Sequence, residues 1–205
     1  MVEKTTNSDV NIKSIPFTIA EPAALGLFGL AVAAFVLGAA DLGLTSGSKS
    51  LMIPWILMFG ATAQLVASVM DFKRKNIFGA TVFGIYAMTM YSIALTLLIT
   101  IFGGEESVVI AHYAYGLIAI LFFSLIATVA SLMTNKVLFS ILIAVDLAVI
   151  SLIPHYLNGF SPQLAGVFLM ITSALSFYGA GAVLINTIAG KTIIPLGKPL
   201  WKPNK

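Results

Sequence analysis

The chain has 205 residues, of which 59% are hydrophobic and 9% charged, with a mean hydropathy of +1.02 and a net charge of +3. That balance leaves too little polar surface to solvate a soluble helical domain and points to a membrane protein. The basic residues sit in short gaps and a tail beside long apolar runs, where anionic lipid accounts for them better than nucleic acid does. Cysteine is absent, which excludes a disulfide framework, a thiolate nucleophile and a thiolate metal site.

Residues 1–20 mix Lys4, Asn7, Ser8, Asp9, Asn11 and Lys13 without an apolar run of signal-peptide length. They read as a flexible cytoplasmic arm, with Ile15-Pro16-Phe17 expected at the membrane interface. Six apolar runs follow, at 23–40, 51–70, 78–102, 108–133, 137–153 and 164–188. A hydrocarbon core ~30 Å thick needs about 20 helical residues, so each run is long enough to span, the fifth being the shortest. The gaps are short. Residues 41–50 form a loop with Gly43 and Gly47, 71–76 a tight turn, and 103–107 a loop carrying Glu105 and Glu106. Residues 134–136 barely separate the fourth and fifth runs, which requires an antiparallel hairpin. The fifth gap, 154–163, holds His155, Asn158-Gly159 and Pro162 and reads as a turn-rich loop.

The gaps must alternate between the two membrane faces. Ten of the eleven Lys and Arg residues then share one face: Lys4, Lys13, Lys73, Arg74, Lys75, Lys136, Lys191, Lys198, Lys202 and Lys205. Lys49 alone lies on the other, so the bias predicts that both termini are cytoplasmic. The expected architecture is an all-α integral membrane protein of the cell membrane. Six transmembrane helices form one bundle over residues 21–190, followed by a short basic cytoplasmic tail, 191–205. No internal repeat is visible.

At the opening of the first helix, Glu21-Pro22 puts a proline at the first helical position and a carboxylate beside free amide donors. Gly26, Gly29, Ala33, Ala34 and Gly38 then form a thin side, suited equally to close helix packing and to a permeating solute. Gln64 offers an amide among apolar residues, as helix glue or as a binding group. Asn76 is placed to cap the third helix across Ile77. Tyr86 combines a hydroxyl able to bond a carboxylate with a ring that excludes water; an interfacial or packing role fits it about as well. Asp146 is the sharpest anomaly, because a lone carboxylate in mid-membrane costs at least ~2.5 to 3.5 kcal/mol. A neutral acid, a proton carrier, or a side chain turned to a neighbouring helix would each resolve it. His112 and His155 have no third ligand at short spacing and make no metal site. No Gly-x-Ser-x-Gly, Walker loop or intramembrane catalytic array appears, and no cofactor is implied.

Three separated stretches resemble one family. Glu21-Pro22-Ala23-Ala24-Leu25-Gly26-Leu27 is similar to the Asn-Pro-Ala-Pro-Leu-Gly-Leu signature of the acetate uptake transporters, which include the bacterial succinate-acetate permeases. Gly60-Ala61-Thr62-Ala63-Gln64, and the run from Asp71 through Lys73-Arg74-Lys75-Asn76 to Phe83, resemble that family's second helix, basic turn and third helix. Gly190-Lys191-Thr192-Ile193-Ile194-Pro195-Leu196-Gly197 is similar to its tail. The resemblance implies a homo-hexamer, each protomer holding its own path for acetate and related small monocarboxylates, in some members succinate. It further implies an apolar constriction at Leu30, Tyr86 and Val145, with Leu30 in place of the family's usual Phe and Asp146 where a neutral hydroxyl residue is usual. The smaller Leu30 would widen the path. A passive or proton-coupled carboxylate pathway is the leading reading, and a structural or enzymatic membrane protein on the same scaffold is the alternative.

Overall fold

The computed structural model describes residues 19–103 and 108–203. The proposed N-terminal arm lies almost wholly outside these residues, as do Glu105, Glu106 and Lys205. Among the described residues the protein is all-helical, with six helices long and apolar enough to cross a membrane. We label them α1 (Ala23–Asp41), α2 (Ser50–Lys73), α3 (Ile77–Phe102), α4 (Ala111–Ser131), α5 (Lys136–Asn158) and α6 (Gln163–Ala189).

The ends follow from local chemistry. At the α1 entry Pro22 is the N-cap, one residue before the first helical position expected for it, and its carbonyl accepts from the Gly26 amide at 3.2 Å. Glu21 Oε1 accepts from the Ala23 amide at 3.3 Å, as expected of a carboxylate beside free donors. Asn76 Oδ1 caps α3 by accepting from the Gly79 amide at 3.3 Å, and Asn135 Oδ1 caps α5 from the Leu138 amide at 3.0 Å. Helix α2 runs to Lys73, into the gap predicted as turn, because Lys75 takes a left-handed φ of 59° and lets the Asn76 amide reach the Asp71 carbonyl at 3.0 Å. Gly79 leaves the room for this corner, since a Cβ there would collide with the Asp71 carboxylate.

Two segments differ from the sequence reading. Helix α5 does not stop at Ile153 but continues through Pro154 to Asn158, so the 154–163 loop shrinks to 159–162. Proline removes one backbone donor. The last turn is held instead by side chains: the Tyr156 ring stands edge-on to Tyr113 at 4.7 Å, and His155 Nδ1 bonds the Phe160 carbonyl at 2.6 Å. Gly159 then ends the helix at φ 71°. At 23 residues α5 is no longer the shortest span; α1, with 19, is. The second difference is inside α2, where Ile56–Ala63 forms a π-helical segment between a first turn, Ile53–Trp55, and the α-helical Gln64–Lys73.

The helices pack as a ring in the order α1, α6, α5, α4, α3, α2 and back to α1. Packing is densest between α1 and α6 and thinnest between α3 and α4. The thin side of α1 explains the first contact. A Cβ on Gly38 would stand 3.1 Å from the Gly166 carbonyl oxygen of α6, and one on Gly29 would collide with the Phe59 carbonyl of the π segment. On α1 and α6, Gly26 and Gly179 likewise face Phe83 and Val137 inside the protomer, whereas Gly181 of α6 has open space around it. Gly26, Gly29, Gly38, Gly166 and Gly179 are therefore used in packing within one chain.

The tail is a fixed strap. Asn186 Oδ1 accepts from the Ile193 and Ile194 amides at 2.7 and 2.9 Å, and its Nδ2 donates to the Ile194 carbonyl at 2.8 Å. The Tyr178 hydroxyl donates to the Pro195 carbonyl at 2.7 Å, and the Leu200 and Trp201 amides reach the Leu132 carbonyl at 2.9 and 3.0 Å. Glu21, the 74–76 turn, the α4–α5 turn and the strap thus share one end of the bundle, the basic end. At the opposite end Lys49 pairs with Asp41 at 3.5 Å.

Candidate functional site

Two cavities enter the ring from opposite ends. The basic-end cavity, about 300 Å³, has polar groups from Glu21, Gln64, Asn76, Asn135 and Asn186 around its rim and walls, and Leu196 of the strap borders it. The Lys49-end cavity, about 100 Å³, carries Asp41, Lys49, Tyr113, Tyr156 and Val145. Leu30 and Tyr86 line both cavities. They form the waist between them and are buried, at 5% and 3% exposure.

The three residues that the resemblance places at a constriction are brought together from α1, α3 and α5. Leu30 and Tyr86 stand at the waist, and Val145 lies on its Lys49 side in the same apolar cluster. Phe123 holds the Tyr86 ring edge-on at 5.6 Å. Gln64 borders the basic-end cavity but is fully buried, its Nε2 donating to the Gly60 carbonyl at 2.6 Å where the π segment meets α-helix. Its Oε1 has no hydrogen-bond partner among the described residues.

Asp146 lines neither cavity. Of the resolutions open to it, the side chain turns to a neighbouring helix: Oδ2 accepts from the Thr128 hydroxyl of α4 at 2.7 Å and Oδ1 from the Ser124 hydroxyl. Ser124 in turn bonds the Tyr86 hydroxyl at 2.7 Å, so a continuous buried chain joins α5, α4 and α3 to the waist. Ser124 and Thr128 were missed by sequence reasoning. Their signal was a hydroxyl pair four residues apart on one face of an apolar helix.

The signature residues divide. Glu21 Oε2 pairs with Arg74 Nη1 at 2.6 Å, tying the start of α1 to the α2–α3 turn at the cavity mouth. Pro22 and Gly26 shape the first turn of α1, and Asn76 caps α3, whereas Leu25 is 45% exposed on the outside of the ring. Asp71, which the sequence placed in a turn, is fully buried on α2 with Arg74 Nη1 at 3.8 Å. His112 lies at the start of α4 and His155 on α5; among the described residues no three His, Cys, Asp or Glu side chains approach closely enough to hold a metal ion.

This ring is similar to a solved structure of the bacterial acetate channel SatP, with a TM-score of 0.82 and 23% identity over 88% of this chain and all of that one. In sequence the chain is 24% identical over 190 residues to the succinate-acetate/proton symporter SatP of Escherichia coli K12, covering 88% of this chain and 96% of that protein. It is 28% identical over 190 residues to an uncharacterized protein of Methanothermobacter thermautotrophicus, covering 86% of this chain and 90% of that protein. Residues 4–196 match the GPR1/FUN34/yaaH family as a whole, so the chain is a multi-pass membrane protein that belongs to that family.

Proposed function

We propose that this protein conducts acetate and related small monocarboxylates across the cell membrane, with the dicarboxylate succinate as a further candidate substrate, passively or together with a proton. The observation that carries the reading is the pair of cavities that enter from opposite ends and stop on the same two side chains, Leu30 and Tyr86. A path blocked only by an apolar residue and one phenol passes small solutes with an apolar end and excludes hydrated ions, whose desolvation it does not offset. Polar groups at each mouth receive the carboxylate. Asn76, Asn135 and Asn186 border the basic-end mouth and Lys49 the other, while Gln64 lies deeper on the basic-end wall. The named relatives, described as a succinate-acetate/proton symporter and an acetate channel, support the same chemistry. Transport rather than catalysis is the task of this site, and no cofactor enters it.

The basic end faces the cytoplasm in this reading, with both termini inside, because the charge bias orients short loops. The protomers assemble as a homo-hexamer, each with its own path. Labelled acetate flux into proteoliposomes under imposed pH and voltage gradients tests the function. Uptake driven by the pH gradient marks proton coupling, uptake responding to voltage marks uniport, and no flux above protein-free vesicles refutes the proposal.

A further inference from the structure

The buried chain from Asp146 to Tyr86 has a property that follows from counting hydrogens. Serine and tyrosine hydroxyls each own one hydrogen, and an ionised carboxylate owns none. With Asp146 ionised, Ser124 must give its hydrogen to Asp146 Oδ1, and Tyr86 must then give its hydrogen to Ser124. The Tyr86 oxygen is left with lone pairs alone, which repel a carboxylate and accept a hydrogen bond from a carboxylic acid. With one proton on Asp146 Oδ1 the chain reverses: Asp146 donates to Ser124, Ser124 to Tyr86, and the Tyr86 hydrogen is free for a carboxylate at the waist. Thr128 donates to Oδ2 in both states and holds the carboxyl in place.

We propose that Asp146, Ser124 and Tyr86 form a proton relay that sets the hydrogen-bonding polarity of the waist, so that a carboxylate anion is received there when Asp146 is protonated. This inference rests on the carboxylate-transport reading and deepens it. The step balances. A carboxylic acid at the waist gives its proton to the Tyr86 oxygen, the Tyr86 hydrogen passes to Ser124, and the Ser124 hydrogen passes to Asp146. The products are a substrate carboxylate bonded by Tyr86 and a neutral Asp146, with no charge left on either hydroxyl. The reverse sequence returns the proton to the departing acid.

Tyr86 of α3 is the titratable group joined to Asp146, through Ser124. On α4, His112, Tyr113 and Tyr115 lie nine or more residues from Ser124, toward the Lys49 end. On α6, Tyr178 is bonded to the strap at the basic end. On α5 itself, Lys136, His155 and Tyr156 lie nine or ten residues from Asp146. Asp146 and Ser124 act through Tyr86 and are positioning residues.

The test uses full-length protein in proteoliposomes, with labelled acetate flux compared at acid and neutral pH after subtraction of protein-free vesicles. A second readout is the acetate-induced infrared difference spectrum in the protonated-carboxyl region. Wild type should show an acid-stimulated flux and a carboxyl band that acetate induces and Asp146→Asn removes. Ser124→Ala cuts the chain and should lose the acid-stimulated component, while Ser124→Thr, which keeps the hydroxyl, should retain it. Asp146→Asn removes titration and should also lose it. A wild-type protein that carries acetate but shows no acetate-induced carboxyl band, or a Ser124→Ala variant with the wild-type pH profile, overturns the relay and leaves Asp146 as a tie between α4 and α5. Absence of wild-type acetate flux overturns the transport reading itself.

Discussion

Tyr86 is held at two separable points, its ring by Phe123 at 5.6 Å and its hydroxyl by Ser124 at 2.7 Å. Tyr86→Ala removes both and should admit larger carboxylates, relaxing discrimination on the order of 10-fold or more, as for a removed pocket wall. Tyr86→Phe keeps the plug and deletes the bond to Ser124, so size selection should persist while the acid-stimulated flux is lost. Competition by carboxylates of increasing length, run at two pH values, measures both effects. If Tyr86→Ala changes neither rate nor range, Tyr86 is packing. Tyr86, Leu30 and Val145 were expected together only through the family resemblance, which places one of them on each of three helices. Ser124 was missed, since the Ser124 and Thr128 hydroxyl pair names no partner until the fold brings a carboxylate from a different helix against it. Asp146 was visible as an anomaly, but its direction was not, because facing α4 depends on how α5 is rotated.

At the level of elements, the strap turns a stretch that reads as a basic tail into part of the cavity wall. Three of its bonds come from the single side chain of Asn186. Each contributes about 0.5 to 1.5 kcal/mol net, so Asn186→Ala should free residues 192–201 without unfolding the bundle. Limited trypsin digestion should then cut the Lys191–Thr192 bond faster than in wild type; equal rates would mean that Tyr178, Val137 and Leu132 hold the strap without Asn186. The α1–α2 contact is less forgiving. Gly29→Ala drives a methyl into the Phe59 carbonyl, and overpacking of this kind costs about 1 to 3 kcal/mol, read as a lowered melting temperature in detergent. Asparagine capping was legible at Asn76 from its place before an apolar run. The π segment was not, because hydropathy is blind to which carbonyl an amide bonds. The passage of α5 through Pro154 was hidden because proline is a stop signal on a single strand of sequence, and the aromatic contacts that override it come from α4.

For the whole molecule, hydropathy alone gave six spans, since bilayer thickness imposes a length that composition must meet. The ring order was not accessible, because it depends on which small-residue faces meet. Orientation has a direct check: a tag at Lys205 should be inaccessible from outside intact cells, and labelling from outside would reverse the assignment. Native mass measurement in mild detergent should give a hexamer, whereas a stable monomer across detergents and nanodiscs would count against it. The thin α3–α4 seam has one more consequence. The Tyr86–Ser124 bond crosses that seam, so any motion that parts the two helices to dilate the path also breaks the wire to Asp146. Passing a solute through an opened seam and exchanging its proton are then mutually exclusive events in one protomer. A leak through the dilated state carries no proton, and tight coupling requires the seam to stay shut.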